Sequence, residues 1–232
     1  MPAEFVIFDF DGTLFDTHQA ISHSIKLTFD TLLPESTPLE SEVQKLIGGG
    51  WGLQNVLRTL HPSPSSFNED EWVSTYRRIY NDHGQKLVSP FAGAKELLEN
   101  LSSRGIPIAI ISNKGVAAVE AALENNSLEN FIPRDLIIGD NTPGATRKPD
   151  PGSFANVLKP ALSARGFPTD LDMSKVLVVG DTEADLKFAS NIGGAKSIWC
   201  RFGYGDKEKC ENLGPGFKID ELSEVEKIVN VL

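Results

Sequence analysis

Apolar residues fall into two textures along the chain: short unbroken runs, and repeats spaced three or four apart. The run Phe5-Val6-Ile7-Phe8 suits a strand covered on both faces, because a strand with one wet face would alternate apolar with polar residues. Four later stretches also read as strands: Ile106 to Ile111, Leu136 to Ile138, Val176 to Val179, and Ile198-Trp199. From Pro90 onward they alternate with helical patterns, such as Leu97, Leu98 and Leu101 before Gly105, and Val116, Val119 and Leu123. That alternation predicts βαβ units and a parallel sheet.

Residues 16–88 contain no such run. Ile21, Ile25, Phe29 and Leu32 give one apolar helix face. Thr37-Pro38-Leu39-Glu40 predicts a capping box with proline in the first turn, followed by Val43, Leu46 and Ile47 up to Gly48. Leu53, Val56, Leu57 and Leu60 mark a third helix; Asn68, with Glu71 three residues on, opens a fourth that carries Trp72, Tyr76 and Ile79. The pattern therefore predicts an α/β core over 1–15 and 89–232, interrupted by a helical insert over 16–88 whose two ends return to the same edge. Asp150 and Pro151 read as the cap and first residue of a later helix, which Pro160 is expected to kink or end. Beyond residue 206 only a terminal apolar segment stands out.

Composition narrows the setting. The chain has 232 residues, 40% of them apolar, and no apolar stretch approaches the ~20 residues that span a bilayer, so no membrane insertion is expected. A net charge of −10 argues against nucleic acid, whose phosphates call for surplus Lys and Arg. Met1-Pro2-Ala3-Glu4 shows no basic stretch leading into a long apolar one, so no secretion is expected. Cys200 and Cys210 form neither a CxxC nor a zinc pattern, and reduced thiols in the cytoplasm are expected. The partner is then a small metabolite, bound by a monomer or homodimer.

In an open parallel sheet, ligands bind where the strands end. Here one strand ends on Asp9 and Asp11, another on Ser112 and another on Asp181, while Lys148 follows a fourth. Two carboxylates ~4 Å apart repel by ~4 kcal/mol at an effective dielectric near 20, so a cation must offset them. Oxygen donors without Cys or His suit a hard ion, and few protein ligands suit Mg²⁺, which keeps waters and shares a phosphate. Lys148 and the Ser112 hydroxyl can hold the remaining phosphate oxygens. Leu136-Ile137-Ile138-Gly139-Asp140 mimics Leu177-Val178-Val179-Gly180-Asp181, and periodicity alone does not choose between the two acids.

Four motifs, Asp9-Phe10-Asp11-Gly12-Thr13, Ser112-Asn113, Lys148-Pro149, and Gly180-Asp181-Thr182 with Asp185, resemble in this order the haloacid dehalogenase-like superfamily, whose members are mostly phosphatases. Phe15-Asp16-Thr17, Ser112-Asn113-Lys114 and the segment from Gly180 to Asp185 look most like its phosphoglycolate phosphatase branch. The resemblance implies a Rossmann-like core, with the 16–88 insert as a helical cap of the first type. It also implies Mg²⁺ held by the Asp9 carboxylate, the Asp11 carbonyl and Asp181, with Asp185 in support. Motif order favours Asp181 over Asp140, because Lys148 comes between them and only Asp181 has a carboxylate four residues on.

The expected roles follow. Asp9 attacks phosphorus to form an aspartyl phosphate; Asp11 protonates the leaving oxygen and then takes a proton from water. Gly12, Thr13 and Asn113 are expected at the substrate, with Gly12 exposing backbone N–H groups to phosphate. Gly48-Gly49-Gly50-Trp51-Gly52 follows a helix and lacks GK[ST], so it reads as a lid turn presenting Trp51 rather than a nucleotide loop. Trp72 and Tyr76 are expected in the insert's core, Asp140 in a loop, Arg147 as a solvated cation and His18 at the surface. The insert shows no basic cluster. The reading is a Mg²⁺-dependent phosphatase acting on phosphoglycolate or a similar small phosphomonoester; the alternatives are a phosphosugar mutase of the same fold and a non-catalytic binding module.

Overall fold

A computed structural model describes residues 3–168 and 170–231; Met1, Pro2, Thr169 and Leu232, which fall within the expected core ranges, lie outside the described residues. The strands are β1 (Phe5–Phe8), β2 (Phe15–Asp16), β3 (Ser89–Pro90), β4 (Ile108–Ile111), β5 (Ile137–Ile138), β6 (Val176–Gly180), β7 (Lys196–Cys200) and β8 (Phe217–Ile219). Six of them form one parallel sheet in the order β5-β4-β1-β6-β7-β8. β1 thus sits mid-sheet, flanked by β4 and β6, and all four of its residues are buried.

Burial on both faces explains the unbroken apolar runs. Val6, Phe8, Ile110, Leu177 and Val179 join one apolar cluster, whereas Phe5, Ile7, Ile111, Val176 and Val178 join another. Residues alternate between faces, and both faces are dry. Ten helices accompany the strands among the described residues: α1 (His18–Leu32), α2 (Glu40–Ile47), α3 (Leu53–Leu60), α4 (Glu69–Asp82), α5 (Ala94–Ser103), α6 (Val116–Asn125), α7 (Lys159–Ala164), α8 (Glu183–Asn191), α9 (Lys207–Asn212) and α10 (Glu224–Val231). The first cluster takes in Leu97 and Leu101 of α5, Leu123 of α6 and Val229 of α10; the second takes in Leu162 of α7 and Phe188 of α8.

Helices α1–α4 occupy the stretch expected to be helical. β2 and β3 pair antiparallel, Phe15 with Pro90 and Asp16 with Ser89, so the helical segment leaves and rejoins the sheet at one place. Phe29 of α1 meets Trp72 of α4 edge to ring, centroids 4.7 Å apart, and both are buried. The apolar cluster on this side of the sheet continues through Phe29, Leu57 and Trp72 without a break.

Three local expectations change. Helix α2 begins at Glu40 rather than on a Thr37 cap, because the Thr37 hydroxyl donates to Asp30 (3.0 Å) and the Glu42 carboxylate instead accepts from Leu39 N (3.3 Å). Pro160 does not end its helix: a π-helical stretch, Ser153–Leu158, runs directly into α7, with Pro160 just past the junction. The segment after residue 206 adds an edge strand and two short helices to the core. No helix among the described residues is long and apolar enough to cross a membrane.

Replacing Trp72 by Ala removes the ring that joins α4 to α1. Urea denaturation should show a loss of about 3–5 kcal/mol; a loss under about 1 kcal/mol would mean that this contact does not hold the helices together.

Candidate active site

Asp9 follows β1 directly, Asp181 follows β6 directly, and Asp185 lies in the first turn of α8. Each brings one carboxylate oxygen within 4.8 Å of the other two, and all three residues are buried. The Lys148 ammonium sits between two of them, with Nζ 2.6 Å from Asp9 Oδ1 and 2.6 Å from Asp185 Oδ1. Burial pushes Asp9 up to about 7, Lys148 opposing and Asp185 adding to the rise. Burial likewise raises Asp181 well above the usual carboxylate range, helped by Asp185 and Asp9. Burial alone would lower Lys148, but Asp185 and Asp9 together outweigh it and hold the ammonium above its ordinary value.

Asp185 serves its own helix as well. Its Oδ2 accepts from Thr182 N (3.0 Å) and Thr182 Oγ1 (2.7 Å), while Oδ1 faces Lys148. Asp185 thus caps its own helix and belongs to the acid cluster at once.

A loop not foreseen from the pattern fixes Asp181. Tyr204 N donates to Asp181 Oδ2 (2.6 Å), and the Tyr204 hydroxyl donates to Asp16 Oδ1 (2.7 Å) while accepting from Thr17 N (2.7 Å) and His18 N (3.0 Å). Gly203 and Gly205 flank it so closely that a Cβ at either would overlap Asp181. Two glycines around an aromatic residue were the available signal. Gly12 and Thr13, expected at the substrate, instead face Asp181: Thr13 is fully buried with its hydroxyl 3.4 Å from Asp181 Oδ1, and Gly12, at φ +75°, leaves no room for a Cβ beside the same carboxylate.

Above the acids opens a cavity of about 410 Å³ lined by both the core and α1–α4. Asp11, Ser112, Asn113 and Trp51 all line it. The Asp11 carboxylate lies outside the three-acid cluster; its Oδ1 is 3.1 Å from Lys114 Nζ, an ion pair without hydrogen-bond geometry, and that ammonium also stands 4.1 Å from the centre of the Tyr80 ring. Ser112 Oγ accepts from Lys114 N (3.3 Å). Asn113 works as a staple: its Oδ1 accepts from Lys148 N (2.8 Å), and its amide donates to Lys148 O (3.2 Å) and to Gly50 O (3.0 Å). The glycine turn is thereby tied to the core, and Trp51 stands half exposed at the cavity.

The second Gly-Asp is more than a loop acid. The Asp140 side chain is buried, lines the cavity, and pairs with Arg147 (3.2 Å) and with Arg77 of α4 (3.8 Å). Arg147 also bonds Gln54 of α3, so it is not simply solvated. Tyr76 is buried as expected but also lines the cavity, together with Arg77, Tyr80 and Gln85. His18 packs edge-on against Tyr204 and does not line the cavity.

The donor set fits a hard divalent cation. Asp9, Asp181 and Asp185 present oxygens only, and among protein groups alone three acids share one ammonium. Lys148 and Thr182 already engage both Asp185 oxygens, and a cluster that offers few free protein oxygens suits an ion that retains waters.

A parallel sheet whose central strand ends on a buried acid cluster, with a cavity lined by helices beside it, is an α/β fold carrying an oxygen-rich site at the ends of its strands. The haloacid dehalogenase-like hydrolase family matches residues 6–199, and the chain belongs to that family as an enzyme of its phosphatase kind. It is 32% identical over 228 residues to a phosphoglycolate phosphatase of Aquifex aeolicus, covering 97% of this chain and 96% of the relative. It is 26% identical over 227 residues to pyrophosphatase PpaX of Halalkalibacterium halodurans, covering 97% and 96%. Its fold superposes on a haloacid dehalogenase-like family hydrolase from Streptococcus pneumoniae with a TM-score of 0.78 at 24% identity, covering 97% of this chain and 98% of that one.

The raised carboxyls make divalent binding visible in stability. A carboxyl whose folded pKa lies above its unfolded value stabilises the fold at low pH, and this is lost as pH rises through the folded value. The metal-free protein should therefore lose stability between about pH 4 and pH 7 as Asp9 ionises, with Asp181 contributing in the same direction. A divalent ion should raise Tm more at about pH 8 than at about pH 5. Calorimetry showing equal rises at both would contradict this account of the cluster.

Proposed function

We propose that this phosphatase hydrolyses a small soluble phosphomonoester, phosphoglycolate or a similar ester, with Mg²⁺ and through an aspartyl phosphate on Asp9. The observation that carries the reading is Lys148 bridging Asp9 and Asp185 beside Asp181 at the end of the central strand, where the cavity meets the core. The 32% identity to a phosphoglycolate phosphatase over nearly the whole chain supports it. In this reading residues 16–88 are a cap over a core made of 1–15 and 89–232, and the enzyme works in the cytoplasm.

Asp9 attacks phosphorus, and the bond from phosphorus to the leaving oxygen breaks. Asp11 gives that oxygen a proton, so the alcohol departs neutral. The ionised Asp11 then accepts a proton from water as the water oxygen attacks the aspartyl phosphate, releasing phosphate and restoring Asp9. Lys148 holds the nucleophile in place and carries positive charge toward the transferring group, while Ser112 offers a hydroxyl. Asp9, the Asp11 carbonyl and Asp181 would hold Mg²⁺, with Asp185 orienting Lys148; the ion supplies electrostatic stabilisation of the phosphoryl oxygens. The helices over the cavity exclude water from the acyl phosphate.

Asp9→Asn should lower kcat by at least ~10³ while leaving the protein folded, because the amide is not a nucleophile. Chelation should likewise abolish phosphate release by the unaltered enzyme, and added Mg²⁺ should restore it. Near-normal turnover by the Asn variant would remove Asp9 from the role.

A further inference from the structure

The half of the cavity that receives the leaving group carries its own chemical signature. Its walls beyond Asp9 and Lys148 include Ile21, Ile25, Ile47, Leu53 and Val56, all from α1–α3. Among the described lining residues, every cation already faces a carboxylate: Lys148 has Asp9 and Asp185, Lys114 has Asp11 at 3.1 Å, and Arg77 has Asp140 at 3.8 Å. Arg147, which shares Asp140, turns to Gln54 and is not in the lining. A negatively charged leaving group would have to compete with these carboxylates for a cation beside a largely apolar wall.

Besides the carboxylates, two buried oxygens on residues of the same lining have no hydrogen-bond partner among the described residues. Gln85 donates its amide to Ala118 O (2.9 Å), which fixes the side chain and leaves Oε1 as the free atom. The Tyr80 hydroxyl is also unpaired, and burial raises its pKa so far that it stays a neutral donor and acceptor. Buried polar atoms are seldom left alone, and a ligand hydroxyl would satisfy them.

We infer that the preferred substrate is the monophosphate of a neutral alcohol longer than two carbons, with a hydrocarbon face against α1–α3 and a distal hydroxyl for Gln85 and Tyr80. This rests on the phosphatase reading and parts from phosphoglycolate on the class of ester. The alcohol leaves by the same proton transfer from Asp11, so no further reactant is needed.

The test compares kcat/KM, with Mg²⁺ present, for phosphoglycolate and for ethyl, butyl, hexyl and ω-hydroxyhexyl phosphates, whose alcohols are similar leaving groups. The expected result is a gain of about fourfold per buried methylene from ethyl to hexyl, with the ω-hydroxyl raising it further and phosphoglycolate at least about tenfold below hexyl. Phosphoglycolate turned over as well as or better than butyl and hexyl phosphate would overturn this inference and leave the phosphatase reading standing. No phosphate released from any ester would overturn that reading, and this one with it. A second measurement places a cation in the apolar wall: Leu53→Lys should move the ratio of phosphoglycolate to hexyl phosphate at least about tenfold toward phosphoglycolate. An unchanged ratio in the folded variant would count against the assigned wall.

Discussion

The site depends on three buried carboxylates sharing one ammonium. At an effective dielectric near 20, each pair of acids ~4 Å apart repels by about 4 kcal/mol, and one lysine at hydrogen-bond distance from two of them recovers a comparable amount for each contact. The balance stays negative. Asp9 and Asp181 respond by holding their protons harder than a free carboxyl would, which is the electrostatic form of a demand for another cation. Removing Lys148 would leave that repulsion without its internal partner, so the lysine is as much a structural requirement of the cluster as a chemical one.

Holding a lysine to such a position requires more than its own loop. Asn113 closes around the Lys148 backbone from both sides, taking its N–H and meeting its carbonyl, and the same amide reaches Gly50. One side chain thus ties the ammonium, the end of β4 and the glycine turn between α2 and α3 into a single arrangement. A Cβ at Gly50 would press on Thr182, whose hydroxyl bonds Asp185, so the turn rests on the cluster from the other side too. Tyr204 makes the corresponding connection at Asp181, joining the acid to the backbone at Asp16–His18 where the helical segment departs. Substrate-side helices and acid cluster are therefore bonded to each other at two separate places, and movement of one is felt by the other.

How much of this the chain reveals before folding follows from where each interaction lives. Strands covered on both faces announce themselves, since Phe5–Phe8 and Val176–Val179 have no alternative use for four consecutive apolar residues. The acids at their ends are legible for the same reason. Contacts between distant segments leave no local mark: nothing in the spacing around Arg77 or Lys114 says that one meets Asp140 and the other Asp11. Tyr204 is an intermediate case, because flanking glycines announce a close approach without saying to what. Asn113 lines the cavity, and its hydrogen-bond partners, backbone groups of Lys148 and Gly50, are ones that only the fold brings to it.

The two Gly-Asp sequences show how sheet order, rather than local sequence, assigns chemistry. Both follow apolar strands, and both acids have buried side chains at the sheet's ligand-binding edge. β6 lies next to β1, so Asp181 comes within reach of Asp9 and becomes one of three like charges. β5 lies beyond β4, two strand spacings from β1, which separates their ends by about 10 Å. That distance takes Asp140 out of the cluster's repulsion and places it opposite the helices, where Arg77 and Arg147 meet it. The same residue type therefore supplies negative charge for a cation in one place and consumes positive charge in the other. Asp140 thereby engages Arg77, which lines the cavity, and Arg147 behind it, so the strand order that builds the acid cluster also sets how charge is paired in the cavity wall.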